Sequence, residues 1–215
     1  MRGRAKVMIV DDHPLVREGL IARISTLPEV TVCGEASSVE SALRLLETTR
    51  PDLIIVDLAL KDGHGLDLIK RVKQSSCATK ILVLTAYDEA LFAERALRAG
   101  AQGYVHKQEV QDTLIAAIRK ILGGEHYLSP QMAERLISQA VGAKGAAQTV
   151  ADLSDRELQI FELIGRGNST RDIAAKLNLS VHTIETHRER IRAKLHLASG
   201  IALTQRAIRW VIEKT

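Results

Sequence analysis

Short apolar runs without polar alternation recur through the first half of the chain. They are rich in Val and Ile, which is typical of parallel strands covered by helices on both faces. The runs are Val7–Val10, Val30–Cys33, Leu53–Val56, Ile81–Leu84 and Gly103–Val105. Stretches with helical spacing of apolar residues alternate with them, at Pro14–Ile24, Val39–Leu46, Leu66–Val72, Ala90–Ala99 and Val110–Leu122. This alternation predicts an α/β domain with a doubly wound, five-stranded parallel sheet.

The pattern then loses its strands. Residues 124–150 combine one helical stretch, Pro130–Val141, with a Gly- and Ala-rich run that is typical of a linker. Ser154 and Glu157 form a capping box that predicts the start of a helix. A short helix, a tight turn and a longer helix follow, which is the pattern of a helix-turn-helix. We therefore predict a sheet domain at 1–123, a partly helical linker at 124–150 and a small all-α, four-helix domain at 151–215.

Composition excludes several classes of protein. Apolar residues make up 46% and charged residues 26% of the 215 residues, as in ordinary globular chains. Aromatic residues make up 3%, which argues against stacking platforms for single-stranded nucleic acid. Two cysteines exclude a disulfide scaffold and a four-thiolate metal site. No apolar run is long enough for a signal-peptide core or a membrane span, so we expect a cytoplasmic protein without a membrane partner.

The basic excess is confined to one part of the chain. There are 30 basic and 26 acidic side chains, which gives a formal net charge of +4. Residues 1–130 hold 17 of each sign, so the whole excess lies in the last 85 residues. This position favours a nucleic-acid partner for the helical domain.

Polar residues follow four of the predicted strands. Asp11 and Asp12 end the first strand, Asp57 the third and Thr85 the fourth, and Lys107 comes shortly after the fifth. The carboxyl ends of parallel strands meet at one edge of the sheet, where ligands bind. Grouped carboxylates repel one another unless a cation neutralises them, and an all-oxygen site suits Mg²⁺. A carboxylate beside that ion can attack a phosphoryl group, whose oxygens the amine and the hydroxyl would hold.

These strand ends resemble the receiver domain of two-component response regulators. The similar motifs are Val10-Asp11-Asp12-His13, Ile55-Val56-Asp57-Leu58, Leu84-Thr85-Ala86-Tyr87 and the run from Gly100 to Lys107. The resemblance covers residues 5 to about 123 and implies a flavodoxin-like fold in which a sensor histidine kinase phosphorylates Asp57. It implies no enzyme, but a phosphoacceptor with Mg²⁺-dependent self-phosphorylation and slow autodephosphorylation.

The same resemblance implies a role for each pocket residue. Mg²⁺ would be held by Asp11, Asp12, Asp57 and the backbone carbonyl of Ala59, with Asp11 acting mainly through water. The residues that bind phosphate and report it would be Thr85, Ala86, Tyr104 and Lys107. The residues alone predict only that Tyr104 is a strand residue whose aromatic ring packs on the core.

The longest helix of the last domain is two-sided. Val181, Ile184, Ile191 and Leu195 recur at helical spacing, and the opposite face is polar and charged. Such a helix can lie in the major groove of DNA. A small helical bundle with an ordinary charged surface fits the same pattern.

This domain resembles the LuxR-type helix-turn-helix. The similar motifs are Leu153–Glu157, Gly167–Ala174, Leu177–Ser180 and Thr183–His187, followed by Ile191 and Lys194-Leu195. A receiver joined to this module is the architecture of the NarL/FixJ family of response regulators. The resemblance implies binding to double-stranded DNA, a homodimer when phosphorylated, and RNA polymerase as a further candidate partner.

The resemblance also assigns candidate DNA contacts. Base-facing positions fall on Glu185, Thr186 and Glu189, and contacts to the DNA backbone fall on Arg171, Thr183, Arg188 and Arg192. Many relatives carry Lys where Glu185 stands. An acidic residue cannot bind phosphate there and would rather accept from a cytosine amine, which leaves the base-facing assignments open.

The sequence leaves three alternatives open for the functions of the two domains and of the last helix. The sheet domain could be a Mg²⁺-dependent phosphohydrolase, although Ala59 stands where its second acid would be needed. The helical domain could bind a protein, such as a polymerase subunit, in place of DNA. The apolar side of the last helix, with Ile201, Ala207, Ile208 and Val211, could serve dimerisation or packing within one chain.

Overall fold

The computed structural model describes residues 3–60, 63–75, 78–87, 89–140 and 150–212. Contacts divide the chain into two compact units, residues 1–143 and 144–215, which we call the sheet unit and the helical unit. The predicted linker run Val141–Thr149 lies outside the described residues, as does Cys77. Cys33 is a half-buried free thiol.

The sheet unit confirms the predicted α/β fold. Among the described residues, five parallel strands form one sheet in the order β2-β1-β3-β6-β7. The strands are β1 (Ala5–Val10), β2 (Val30–Ala36), β3 (Leu53–Val56), β6 (Lys80–Thr85) and β7 (Gly103–His106), and β4 (Ala59–Leu60) with β5 (Gly63–His64) forms a separate antiparallel hairpin. The helices are α1 (Pro14–Ile24), α2 (Val39–Thr49), α3 (Gly65–Ser75), α4 (Glu89–Ala99) and α5 (Val110–Leu122).

Burial explains why the strands read as unbroken apolar runs. All four residues of β3 and the last four of β1 are buried, because helices cover both faces of the sheet. The strand order reverses its direction of growth between β1 and β3, so the two loops after these strands separate to opposite sides. The crevice that results at the carboxyl ends is where doubly wound sheets bind ligands.

The segment after α5 packs on the sheet unit. Tyr127 forms a parallel bridge with Gly103 at the open edge of β7, where its N–H donates to Gln102 O at 2.9 Å and its carbonyl accepts from Tyr104 N at 3.1 Å. Helix α6 (Pro130–Ala140) then packs against α4, with Met132 buried. The contact-based division therefore places residues 124–140, expected in the linker, within the sheet unit. An unpaired strand edge and an apolar helix side provide the physical reason.

The helical unit contains α7 (Asp155–Gly165), α8 (Thr170–Leu177), α9 (Val181–Lys194) and α10 (Gly200–Ile212). Ser154 and Glu157 form the predicted capping box at the start of α7. Asn178 adopts the left-handed conformation (φ 51°) that ends α8 and makes the tight turn before α9. Phe161 and Trp210 meet edge to face at 5.3 Å in the core. Across the described residues, every helix is too short or too polar to cross a membrane.

Candidate functional sites

The strand ends bring the predicted acidic residues into one pocket. Asp11 and Asp12 follow β1 directly, and Asp57 follows the neighbouring strand β3. The three carboxylates are buried, with 1%, 9% and 2% of each residue exposed. Together with His13 they offer ligand atoms that all lie within 4.8 Å of one another. This group can hold a metal ion, and its carboxylate oxygens are the donors that Mg²⁺ prefers.

Lys107 places its amine between two of these carboxylates. Its Nζ lies 2.6 Å from Asp57 Oδ2 and 2.7 Å from Asp11 Oδ2. Burial raises the pKa of Asp57, and the charge of Asp11 adds to this, against the opposing effect of Lys107. Burial alone would lower the pKa of Lys107, but the carboxylates of Asp57 and Asp11 raise it above its ordinary value. The lysine is therefore a fixed positive charge beside the carboxylates of Asp57 and Asp11.

Backbone groups of the loop after β3 complete the surroundings of Asp57. Ala59 N donates to Asp57 Oδ1 at 3.1 Å, and Ala59 begins the β4–β5 hairpin. Gly65, at the start of α3, lies so close that an added Cβ would be 2.3 Å from Asp57 O. The amide of Ala59 therefore orients the carboxylate of Asp57, and Gly65 permits the close approach of the backbone beside it.

Thr85 and Tyr104 are both buried in the sheet unit, and each bonds to the backbone of Tyr87. Thr85 is fully buried at the end of β6, and its Oγ1 accepts from Tyr87 N at 3.4 Å. Tyr104 is 2% exposed, and its hydroxyl donates to Tyr87 O at 2.7 Å. Ala86 directly follows Thr85 and lies in an exposed bend. Its carbonyl is 3.1 Å from His106 Nε2. The ring of Tyr104 thus holds the loop that leads from the pocket to α4.

Two residues without a predicted role also belong to this pocket. His13 Nδ1 lies 2.7 Å from Asp12 Oδ1 and 3.1 Å from Asp11 Oδ1. Arg17 donates through NH1 to Asp11 O at 2.8 Å and through Nε to Glu35 Oε2 at 3.0 Å. The position of His13 directly after Asp11 and Asp12 indicated in the sequence that it could belong to the pocket. No sequence pattern indicated the same for Arg17.

The helical unit presents the predicted DNA contacts on α8 and α9. Arg171 and Glu189 are exposed, and Thr186 Oγ1 donates to His182 O within the helix. Thr183 takes part in the cap of α9, with its Oγ1 2.8 Å from Ser180 Oγ. Ile184 and Ile191 are fully buried, as the predicted apolar stripe of this helix requires. Leu195 is half-buried, and the prediction is wrong for Val181, which is 46% exposed in the first turn of the helix.

The remaining predicted contacts already have partners within the unit. Glu185 Oε1 accepts from Thr170 Oγ1 at 3.0 Å, and Glu185 Oε2 lies 3.5 Å from Arg188 Nε. Arg192 NH2 donates to Ala198 O at 3.2 Å, in the turn after α9. Burial, together with the charges of Arg156 and Arg190, lowers the pKa of His187 on the same helix, which favours its neutral imidazole.

The last helix divides its apolar residues between two sides. Leu203, Ala207 and Trp210 are buried against the unit, and Ile201 and Ile212 are 72% and 69% exposed. Helix α10 therefore packs on α7 and still leaves an apolar side uncovered within the unit.

Comparison with known proteins finds a family match in each unit. Residues 7–119 match the family "Response regulator receiver domain", and residues 151–207 match "Bacterial regulatory proteins, luxR family". The chain is 32% identical to the response regulator UvrY of Escherichia coli (strain K12), over 94% of this chain and 93% of UvrY. It is 33% identical to the response regulator GacA of Pseudomonas aeruginosa, over 95% of each chain.

Solved structures extend the comparison. RcsB from Salmonella enterica serovar Typhimurium, bound to promoter rprA in the presence of the phosphomimetic BeF₃⁻, is 27% identical with a TM-score of 0.63. The match covers 94% of this chain and 98% of that one.

Proposed function

Because the chain belongs to the NarL/FixJ family of response regulators and is a DNA-binding transcription regulator, we propose that phosphorylation of Asp57 by a sensor histidine kinase controls its dimerisation and its sequence-specific DNA binding. The observation that carries this is the ammonium group of Lys107, 2.6 Å from Asp57 and 2.7 Å from Asp11. A phosphoryl group on Asp57 adds negative charge at a point where a buried cation is already fixed.

The residues of the pocket fit a Mg²⁺ ion. Its ligands would be Asp11, Asp12, Asp57 and the backbone carbonyl of Ala59, all of them oxygen donors. When bound there, Mg²⁺ would supply positive charge that offsets the repulsion between the grouped carboxylates and favours a phosphoryl group beside them. The three buried side chains come from the ends of neighbouring strands, so the sheet itself fixes their spacing.

Asp57 acts as the nucleophile. Its carboxylate oxygen bonds to the phosphorus of the phosphohistidine, the P–N bond breaks, and the electron pair returns to the imidazole nitrogen. Lys107 then donates to one phosphoryl oxygen and Thr85 to another. The product is an acyl phosphate that water hydrolyses slowly. We therefore expect Mg²⁺-dependent self-phosphorylation from a small phosphate donor, followed by slow autodephosphorylation.

Tyr104 links the pocket to the segment that leads out of the sheet unit. Its hydroxyl donates to Tyr87 O, and its backbone N–H donates to Tyr127 O. Nearby, Ser129 N donates to Glu89 Oε1 at the start of α4. A shift of Thr85 towards a phosphoryl group removes the acceptor of Tyr87 N–H, and Tyr104 then passes the change to both α4 and the segment that carries α6.

The partners follow from the two sites. Double-stranded DNA is the partner of the helical unit. We place the protein in the cytoplasm because that is where it would meet this DNA. The exposed Ile201, Ile208 and Ile212 of α10 support a homodimer on paired half-sites when Asp57 is phosphorylated. We keep RNA polymerase as a further partner in transcription.

Phosphorylation can be tested at Asp57 with the three tyrosines as reporters. Tyr87, Tyr104 and Tyr127 are the whole tyrosine content of the chain, so 3-fluorotyrosine labelling gives three ¹⁹F signals. We expect BeF₃⁻ with Mg²⁺ to shift all three and to increase affinity for operator duplexes, because the same path connects them. Acetyl phosphate should add covalent phosphate that intact-mass measurement detects.

An exposed carboxylate of the same unit provides the matched control. Asp57→Ala should lose the covalent phosphate, the ¹⁹F shifts and the increase in affinity together. Asp67→Ala removes a carboxylate that is 67% exposed on α3 and should behave as the unchanged protein does. An Asp57→Ala protein that still takes up phosphate, or still responds on DNA, would refute the assignment.

A further inference from the structure

Glu185, an exposed acid in the first half of α9, is held by a hydroxyl of α8. We propose that Glu185 determines specificity for a cytosine in the operator and that Thr170 is its positioning residue. The inference rests on the proposed DNA binding and extends it to a named base and to a residue outside α9.

Each carboxylate oxygen of Glu185 has one contact within the helical unit. Oε1 accepts from Thr170 Oγ1 at 3.0 Å, and Oε2 lies 3.5 Å from Arg188 Nε. The Glu185 side chain is still 52% exposed, whereas that of Arg188 is 18% exposed. A carboxylate has about four lone-pair sites, so these two contacts leave acceptor capacity on the exposed side.

The local sequence explains why the hydroxyl of Thr170 is available. Two hydroxyl residues stand side by side at the start of α8, and the first of them makes the helix cap. Ser169 Oγ accepts from Asp172 N, and Ser169 N and Oγ both donate to Asp172 Oδ2. Because this reciprocal pair satisfies the end of the helix, Thr170 can reach across to α9.

Positioning matters because a glutamate on an exposed helix otherwise samples many rotamers. Ordering such a side chain at an interface costs on the order of 1 kcal/mol. The bond from Thr170 and the pairing with Arg188 order Glu185 before DNA arrives. The same ion pair holds Arg188 against the helical unit, which fixes the direction from which the carboxylate approaches the groove.

The chemistry of the carboxylate selects the base. An ionised Glu only accepts hydrogen bonds, so it is repelled by phosphate and has no favourable contact with the acceptors of guanine or with O4 of thymine. Adenine offers an N6 amine, but the N7 acceptor beside it repels a carboxylate and suits an amide side chain instead. Cytosine presents its N4 amine without an adjoining acceptor of its own, and a carboxylate is the side chain that accepts from it. The ligand of this position is therefore a C·G pair.

Selection from randomised duplexes tests this assignment. Full-length protein with BeF₃⁻ and Mg²⁺ should select cytosine at one position of each half-site. Glu185→Gln should replace that preference by adenine, because an amide pairs with the N6/N7 edge of adenine. Thr170→Val should weaken the cytosine preference by about 3- to 10-fold, the size of one lost ordering contact. Thr170→Ser, which restores the hydroxyl, should recover it.

Controls separate specificity from folding and from general affinity. Thr48→Val removes a hydroxyl that bonds within α2 of the sheet unit and should change nothing. The fluorescence of Trp210, buried in the helical unit, checks the fold of each variant. In the two Thr170 variants the slope of affinity against salt should stay constant, because neither substitution changes a charge.

The opposing outcomes are distinct. If Glu185→Gln weakens binding to all duplexes equally, Glu185 only braces Arg188 and the assignment is wrong. If Thr170→Val keeps the full preference while Glu185→Gln loses it, Thr170 is not the positioning residue. If the unchanged protein selects no sequence at all, the proposed function itself fails.

Discussion

The two units each contain an ion pair with a buried carboxylate, and the two pairs have the same length. Lys107 Nζ lies 2.6 Å from Asp57 Oδ2 in the sheet unit, and Lys194 Nζ lies 2.6 Å from Glu157 Oε2 in the helical unit. The carboxylate side chains are 2% and 5% exposed. Nevertheless the pKa of Asp57 is raised and that of Glu157 is lowered.

The surroundings of the carboxylates account for the opposite directions. Asp57 shares its lysine with Asp11, and the second negative charge adds to the effect of burial on its pKa. Burial also opposes ionisation of Glu157, but hydrogen bonds from Lys194 and from Ser154 N outweigh it. A balanced pair stabilises a fold. An unbalanced one lacks positive charge, which is the property that a site for Mg²⁺ requires.

Removal of each lysine should give the largest difference between the units. Lys107→Met leaves Asp11 and Asp57 buried without their cation and should destabilise the sheet unit by about 3–5 kcal/mol. Lys194 is 42% exposed, and Glu157 keeps its bond from Ser154, so Lys194→Met should cost at most about 1 kcal/mol. Chemical unfolding, followed by tyrosine signals for the sheet unit and by Trp210 for the helical unit, measures both.

Chelation and addition of Mg²⁺ sharpen this test. The ion should restore part of the stability lost in Lys107→Met, because it supplies positive charge to the same carboxylates. It should not restore the stability that the helical unit loses in Lys194→Met, because the carboxylate cluster lies in the sheet unit. Equal losses in the two variants, or equal responses to Mg²⁺, would contradict the distinction between the pairs.

The residues of the pocket could be predicted from the sequence because the topology of a parallel sheet brings them together. Asp12, Asp57 and Lys107 each stand next to an apolar run, and parallel strands bring their carboxyl ends together whatever the helices contribute. The same logic predicted Thr85. The roles of Ala59 and Tyr104 came from resemblance, since a backbone carbonyl and a strand aromatic carry no chemical signal of their own.

Other features depend on contacts that one sequence does not encode in its periodicity. The bond from Thr170 to Glu185 joins two helices across a turn, and either Ser169 or Thr170 could have been the cap of α8. The docking of Tyr127 on β7 depends on an open sheet edge, which linear patterns do not identify. Such surface and edge contacts are set by tertiary packing.

Two glycines, one in each unit, allow the two units to be compared through close backbone contacts instead of ion pairs. An added Cβ at Gly65 would lie 2.3 Å from Asp57 O, and one at Gly165, at the end of α7, would lie 2.5 Å from Ala207 O. Both contacts are with backbone, so Gly65→Ala and Gly165→Ala should each destabilise their own unit by about 1–3 kcal/mol. Only Gly65→Ala should also weaken the response to BeF₃⁻, since it moves the loop that holds Asp57. An unchanged BeF₃⁻ titration in Gly65→Ala would show that this loop is not needed for the pocket.

The smallest expected effect is the pH dependence of the helical unit. Because the folded pKa of Glu157 is lowered, its ionisation adds stability above its ordinary value of 4.5, and this is lost as pH falls through the folded pKa. Glu157→Gln keeps the capping box, which accepts Gln at this position, and should cost about 1 kcal/mol at pH 7 as a charged bond becomes neutral. Unfolding curves followed by Trp210 should converge with those of the unchanged protein in acid. Asp172→Asn, at the equivalent position of the exposed cap on α8, should alter the curve less, because solvent screens its charge. Parallel pH profiles for Glu157→Gln and the unchanged protein would mean that Lys194 and Glu157 are not an energetically coupled pair.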